Sequence, residues 1–94
     1  MPKYVIEREI PGLGDASAED LRAVAQKSNA VLAELAPQVQ WVQWVQSYAT
    51  QDKMYCIYVA DDAESVREHA RRGGFPADSV AAVAAVVDPT TAEG

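Results

Sequence analysis

The sequence predicts an α+β sandwich in which four strands and two helices follow one another as β-α-β-β-α-β. Three observations carry that prediction. Four short stretches are rich in β-branched and aromatic residues or alternate with period two, and two longer stretches repeat their apolar residues at helical spacing. Prolines, glycines and acidic caps fall where one period gives way to the next.

Tyr4 to Ile10 reads as the first strand. Tyr4, Ile6, Arg8 and Ile10 lie on one face, with Val5, Glu7 and Glu9 on the other. Pro11-Gly12-Leu13-Gly14 breaks the alternation, and Ser17 with Asp20 begins a helix. Leu21, Val24, Ala25, Ser28, Val31, Leu32 and Leu35 form its inner face, and Pro37 ends it. Val39 to Thr50 reads as the second strand, Gln51-Asp52 as a tight connection, and Lys53 to Ala60 as a third, apolar strand.

Asp61-Asp62-Ala63-Glu64 opens the second helix. An acid at the N-cap accepts from the first-turn amides, and Glu64 can reach back to it. Ala63, Val66, Ala70 and Gly73 form its buried stripe, and Gly73 is expected to close it in the left-handed conformation. Val80 to Val87 supplies a fourth strand between Asp78 and Pro89. This order is the split βαβ arrangement of a ferredoxin-like sandwich, an antiparallel sheet with two helices on one face. Residues 1–89 form the single domain, and residues 90–94 form a tail with little to pack. Two helices cover only one sheet face, so a homodimer through the other face is expected.

The segment Trp41-Val42-Gln43-Trp44-Val45-Gln46 repeats a triplet. An odd-numbered repeat in a strand sends its two tryptophans to opposite faces. Either a bulge or loop absorbs the extra residues, or one tryptophan is displayed at an interface.

Charge and composition exclude several classes. Fourteen acids against eight bases argue against non-specific nucleic-acid binding. No apolar run approaches the ~20 residues of a membrane span. The start Met1-Pro2-Lys3-Tyr4 lacks signal-peptide organisation, so a cytoplasmic location is expected. One cysteine and one histidine exclude a disulfide framework, a CxxC zinc pattern and an HExxH motif.

The candidate donors for a divalent metal are His69, Glu68, Glu64, Asp61, Glu7, Glu9 and Cys56. Imidazole suits nickel, zinc and copper, and carboxylates complete a shell. His69 falls about 80° from the centre of its helix stripe, a half-covered shoulder position. Ligand, catalytic base and structural hydrogen bond all stay open there, and a lone histidine is more often structural. As a ligand with a reference pKa of ~6.5 it would release metal below about pH 6. Glu64 and Glu68 share a helix face from which His69 is turned about 100°, so a further ligand must come from elsewhere. Glu7 and Glu9 share a strand face roughly 7 Å apart, suited to a cation or to acid–base work, although exposed glutamates on an edge strand are commoner. Cys56, mid-strand among apolar neighbours, reads as an inert small hydrophobe rather than a nucleophile paired with His69.

The run His69-Ala70-Arg71-Arg72-Gly73-Gly74-Phe75-Pro76-Ala77 carries a resemblance, with Trp44-Val45-Gln46-Ser47-Tyr48, Tyr55-Cys56-Ile57-Tyr58 and Tyr4-Val5-Ile6-Glu7-Arg8. From Tyr4 to about Pro89 the chain resembles a family of small bacterial domains of unknown function, some labelled nickel-binding proteins. The resemblance implies a dimeric ferredoxin-like fold with nickel at the dimer surface, held for sequestration rather than turnover. The doubled Trp-Val-Gln departs from the expected single copy. The alternative is a small cavity enzyme, since dimeric sandwiches of this type also house isomerases, cyclases and monooxygenases. His69, or Glu7 with Glu9, would then act as acid and base beside Tyr58 or Trp44. A third reading is a partner-binding module that uses the open sheet face.

Overall fold

Seven residues alternate cleanly from Lys3 to Glu9, and that stretch becomes the strand around which the sheet is built. The computed structural model describes residues 2–35 and 42–93. Its elements are β1 (Lys3–Glu9), α1 (Ala18–Leu35), β2 (Val42–Ala49), β3 (Lys53–Ala60), α2 (Ala63–Gly73) and β4 (Ser79–Ala82), with short 3-10 turns at Leu13–Asp15 and Pro89–Glu93. The strands pair antiparallel in the order β2-β3-β1-β4. This is the α+β, ferredoxin-like arrangement expected from the sequence, and β1 is an interior strand rather than an edge.

The face covered by the helices carries Tyr4, Ile6 and Arg8 from β1 and Cys56, Tyr58 and Ala60 from β3, all buried. Val66 of α2 joins that core cluster, and Val42, Trp44 and Met54 pack against it. Ser17 and Asp20 cap α1 reciprocally: the Asp20 amide donates to Ser17 Oγ at 3.0 Å and the Ser17 amide to Asp20 Oδ2 at 3.2 Å.

Several sequence expectations are corrected. Asp62 is the N-cap of α2, accepting from the Ser65 amide at 2.8 Å. That bond, with one from the Ser65 hydroxyl, holds the Asp62 carboxyl below the usual range. The left-handed residue closing α2 is Gly74, with φ 69°, not Gly73. Gly73 is needed for space, because a Cβ there would run into the Phe75 ring. The Phe75 amide donates back to the Ala70 carbonyl at 2.9 Å, and this turn folds Phe75 over the helix end.

The fourth strand stops at Ala82 instead of Val87. Its last ladder bond runs from the Val83 amide to the Lys3 carbonyl. β1 itself begins at Lys3, so Val83 already sits opposite the end of its partner strand. Val86 and Val87 are accordingly exposed. Residues 89–93 form an exposed 3-10 turn anchored by Asp88, whose carboxyl bonds to Thr90 lower its pKa.

In β2 a bulge at Val45 shifts the register between Trp44 and Gln46. Trp44 and Ser47, three apart, therefore share the helix-side face, and Trp44 Nε1 donates to Ser47 Oγ at 2.9 Å. The expected strand start at Val39 and the first tryptophan, Trp41, lie outside the described residues.

Candidate functional site

An apolar inner face should press a helix flat onto its sheet. Only the C-terminal part of α1 buries that face. Ser28, Val31 and Leu35 are buried, whereas Leu21 and Val24 are 37% and 42% exposed. Among the described residues α1 packs more closely against α2 than against any strand. Its first half stands off the sheet and roofs a cavity of about 220 Å3. Leu21, Val24 and Ser28 line it from above, with Trp44, Met54 and Tyr58 among the residues below. Cys56 and Arg8 complete the floor, and Phe75 and Pro76 close one end.

Arg8 is the unusual member of this lining. It is 3% exposed, on the face it shares with Tyr4 and Ile6. Its Nε donates to Cys56 Sγ at 3.3 Å, its Nη1 donates to the Pro76 carbonyl, and its guanidinium carbon lies 5.6 Å from the Phe75 ring centroid. Among the described residues no carboxylate pairs with it. Burial raises the pKa of the neighbouring Tyr58 hydroxyl, despite the opposing charge of Arg8, so Tyr58 stays protonated at neutral pH.

His69 is not on a half-covered shoulder. It is fully buried, enclosed by three elements that helical periodicity cannot see. Tyr58 of β3 and Phe75 lie against its ring with centroids at 5.3 and 5.5 Å, and Nε2 is 3.2 Å from Ser28 Oγ of α1. Nδ1 has no hydrogen-bond partner among the described residues. Burial, reinforced by the charge of Arg8 and opposed only by Ser28, lowers its pKa from 6.5 to about 4. The imidazole is therefore neutral at pH 7, and the expected loss of a lone pair below pH 6 is corrected to the region of pH 4.

The remaining candidate donors fall in separate places. Glu68 pairs with Arg71 and, at 2.9 Å, with Arg72 on the outer side of α2, where Glu64 is exposed, and Asp61 is exposed ahead of the helix. Cys56 is buried under Arg8 and has no bond to His69. Glu7 and Glu9 lie on the opposite sheet face, where both hold the Lys53 ammonium at 3.6 and 3.5 Å. Those two carboxylates raise the Lys53 pKa. Among the described residues no three His, Cys, Asp or Glu side chains gather at one point. The cavity is lined by Tyr58 and Trp44, but by neither His69 nor the Glu7–Glu9 pair.

Sequence reasoning missed Arg8 as a site residue. The signal was present: a charged residue in register with Tyr4, Ile6 and Ile10 on an otherwise apolar strand face. Ser28, a hydroxyl on the inner face of α1, is a second such signal.

These features define a class: a small ferredoxin-like sandwich with a helix-side cavity floored by a buried arginine and with no helix over its other sheet face among the described residues. The sequence pattern of the family described as nickel responsive protein SCO4226-like matches residues 4–83, and the chain belongs to that family. Among solved structures it is similar to that of SCO4226 from Streptomyces coelicolor A3(2), with a TM-score of 0.72 at 20% identity. The likeness covers 90% of this chain and 99% of that one, and at this identity it concerns the fold. No curated protein matches the chain. The family resemblance read from the sequence is thereby borne out. Among the described residues no helix is long and apolar enough to cross a membrane.

Proposed function

We propose that the protein is a nickel-responsive homodimer that binds the metal without turnover, through carboxylates on the sheet face opposite the helices. The observation that carries this reading is the Lys53 ammonium held between Glu7 and Glu9. Two carboxylates there already converge on one cation, on the face a second copy would cover. Membership of a family described as nickel responsive supports the choice of metal.

One subunit alone does not fit a nickel site, since its described donors do not converge. His69 offers a neutral imidazole but is sealed beneath Phe75, and among the described residues it belongs to no group of three His, Cys, Asp or Glu donors. Glu64, Glu68, Asp61 and Cys56 are each separated from it by the placements above. Two copies facing across a two-fold axis bring four carboxylates to one interface. Half-buried Val5, Ile57 and Val59 flank them and gain from being covered. Oxygen ligands bind weakly but still favour nickel over manganese, iron and cobalt in the usual divalent order.

The test is a calorimetric nickel titration combined with sedimentation at micromolar concentration. Wild type should sediment at twice the chain mass and bind nickel. Glu7→Gln with Glu9→Gln should weaken binding at least tenfold, and Lys53→Met, which removes the competing cation, should strengthen it. Unchanged affinity in the double variant, with a loss in His69→Gln, would move the site to the interior. A monomeric wild type would remove the shared interface.

A further inference from the structure

We propose that the cavity between α1 and the sheet is a binding site for a small apolar monocarboxylate, anchored by the Arg8 guanidinium. This goes beyond the metal reading and uses the opposite face of the sheet.

The first ground is charge. The chain carries 14 acidic and 8 basic residues, yet among the described residues no acidic one lines this cavity and one arginine does. Arg8 is 3% exposed, and the partners described above, a thiol, a carbonyl and an aromatic ring, are all neutral. A guanidinium that has lost most of its water, with no counter-ion among the described residues, leaves a positive potential in a poorly screened place. A planar carboxylate matches its fork of donors better than any other common anion of this size. His69 is neutral at pH 7, so it adds no competing cation.

The second ground is shape and chemistry. Apart from Arg8, the polar groups reaching the cavity are chiefly hydroxyls, those of Ser28, Ser47 and Tyr58. Ser47 Oγ accepts from Trp44 Nε1 and keeps its own proton to donate. The other walls are apolar and aromatic, with Trp44, Met54 and Phe75 prominent. Few polar groups in an apolar cleft is the usual pattern of a ligand site. A volume of about 220 Å3 lies below the ~300–1,000 Å3 of sites for drug-sized molecules, and corresponds to roughly seven waters at ~30 Å3 each. A ligand of about ten non-hydrogen atoms fits that space. Leu21 and Val24, half out in solvent, mark where it would enter.

Arg8 also ties down Pro76, so the test must separate recognition from scaffolding. The probes are phenylacetate and octanoate, with 2-phenylethanol and octan-1-ol as their uncharged counterparts and phenethylammonium as the cation. Binding is followed by calorimetry and by amide chemical shifts in 1H–15N spectra. At least one acid should bind at least tenfold more tightly than its alcohol, with shifts grouped on α1, β2 and Phe75, and the cation should not bind. Arg8→Gln should abolish the preference for acid over alcohol while the alcohol still binds. Val24→Trp, which fills the cavity from its solvent side, should block both and leave the spectrum otherwise folded. If Arg8→Gln does not fold, the wild-type comparison and Val24→Trp still decide. Equal affinity for acid and alcohol, no saturable binding of either acid, or acid binding that survives Val24→Trp would each overturn the proposal.

Discussion

Replacing His69 by glutamine should remove a specific part of the acid sensitivity of this fold. The imidazole is fully buried and its pKa is lowered to about 4, whereas in the unfolded chain it returns to the reference value near 6.5. Between those values the unfolded state binds the extra proton, so stability rises with pH there. The contribution is complete above pH 6.5 and is lost as the pH falls from 6.5 to 4. Integrating the two titrations gives a loss of about 2 kcal/mol by pH 5 and about 3 kcal/mol by pH 4. Against a total of ~5–15 kcal/mol for a domain, that is a large share.

Urea unfolding of wild type and His69→Gln at pH 7.5, 5 and 4 isolates the effect. Carboxylate protonation acts on both proteins alike, and glutamine does not titrate, although it can still meet Ser28. The gap between the two curves should narrow by about 2 kcal/mol between pH 7.5 and 5. The Cε1 proton of His69 in the folded protein should titrate with a midpoint near 4, as burial requires. Parallel curves, or a midpoint at the ordinary value, would refute the reasoning that a sealed neutral imidazole is part of the core.

Gly73→Ala should cost about 1–3 kcal/mol by overpacking, because its methyl meets the Phe75 ring; the His69 midpoint, measured by NMR, should rise as that lid is displaced. Deleting Trp41 to Gln43 should preserve a cooperative thermal melt followed by circular dichroism. The deletion leaves Val39-Gln40 before Trp44, the same residues in the same register as Val42-Gln43, and only the preceding connection shortens. Ile57→Lys, on the open face between Val5 and Gln46, should halve the sedimenting mass while leaving the circular dichroism spectrum unchanged.

The sequence made most of the fold legible because its two periods are clean. The alternation from Tyr4, the Ser17–Asp20 cap and the acidic start of α2 are local signals, and the structure keeps them. What stayed hidden depends on distant partners. His69 looks marginal on its own helix and becomes fully buried only because Phe75, Tyr58 and Ser28 close around it. The end of β4 falls opposite the start of β1, about eighty residues earlier in the chain, through the pairing of the two strands. Helical spacing assigned Leu21 and Val24 to the core, but spacing does not say how far a helix stands from its sheet. The Glu7–Glu9 pair was visible as a strand-face doublet, although its joint hold on Lys53 required the β1–β3 register that sets Glu9 opposite Lys53.

The most direct test of the metal proposal is a crystal structure of the nickel-soaked protein, with anomalous scattering collected on both sides of the nickel edge. The expected result is a two-fold dimer paired through the sheet face of Val5 and Ile57, with a nickel peak beside Glu7 and Glu9 and Lys53 displaced from them. A peak on α2 beside Glu64 and Glu68, a peak at His69 with Phe75 swung aside, or a dimer that leaves the open sheet face in solvent would contradict it.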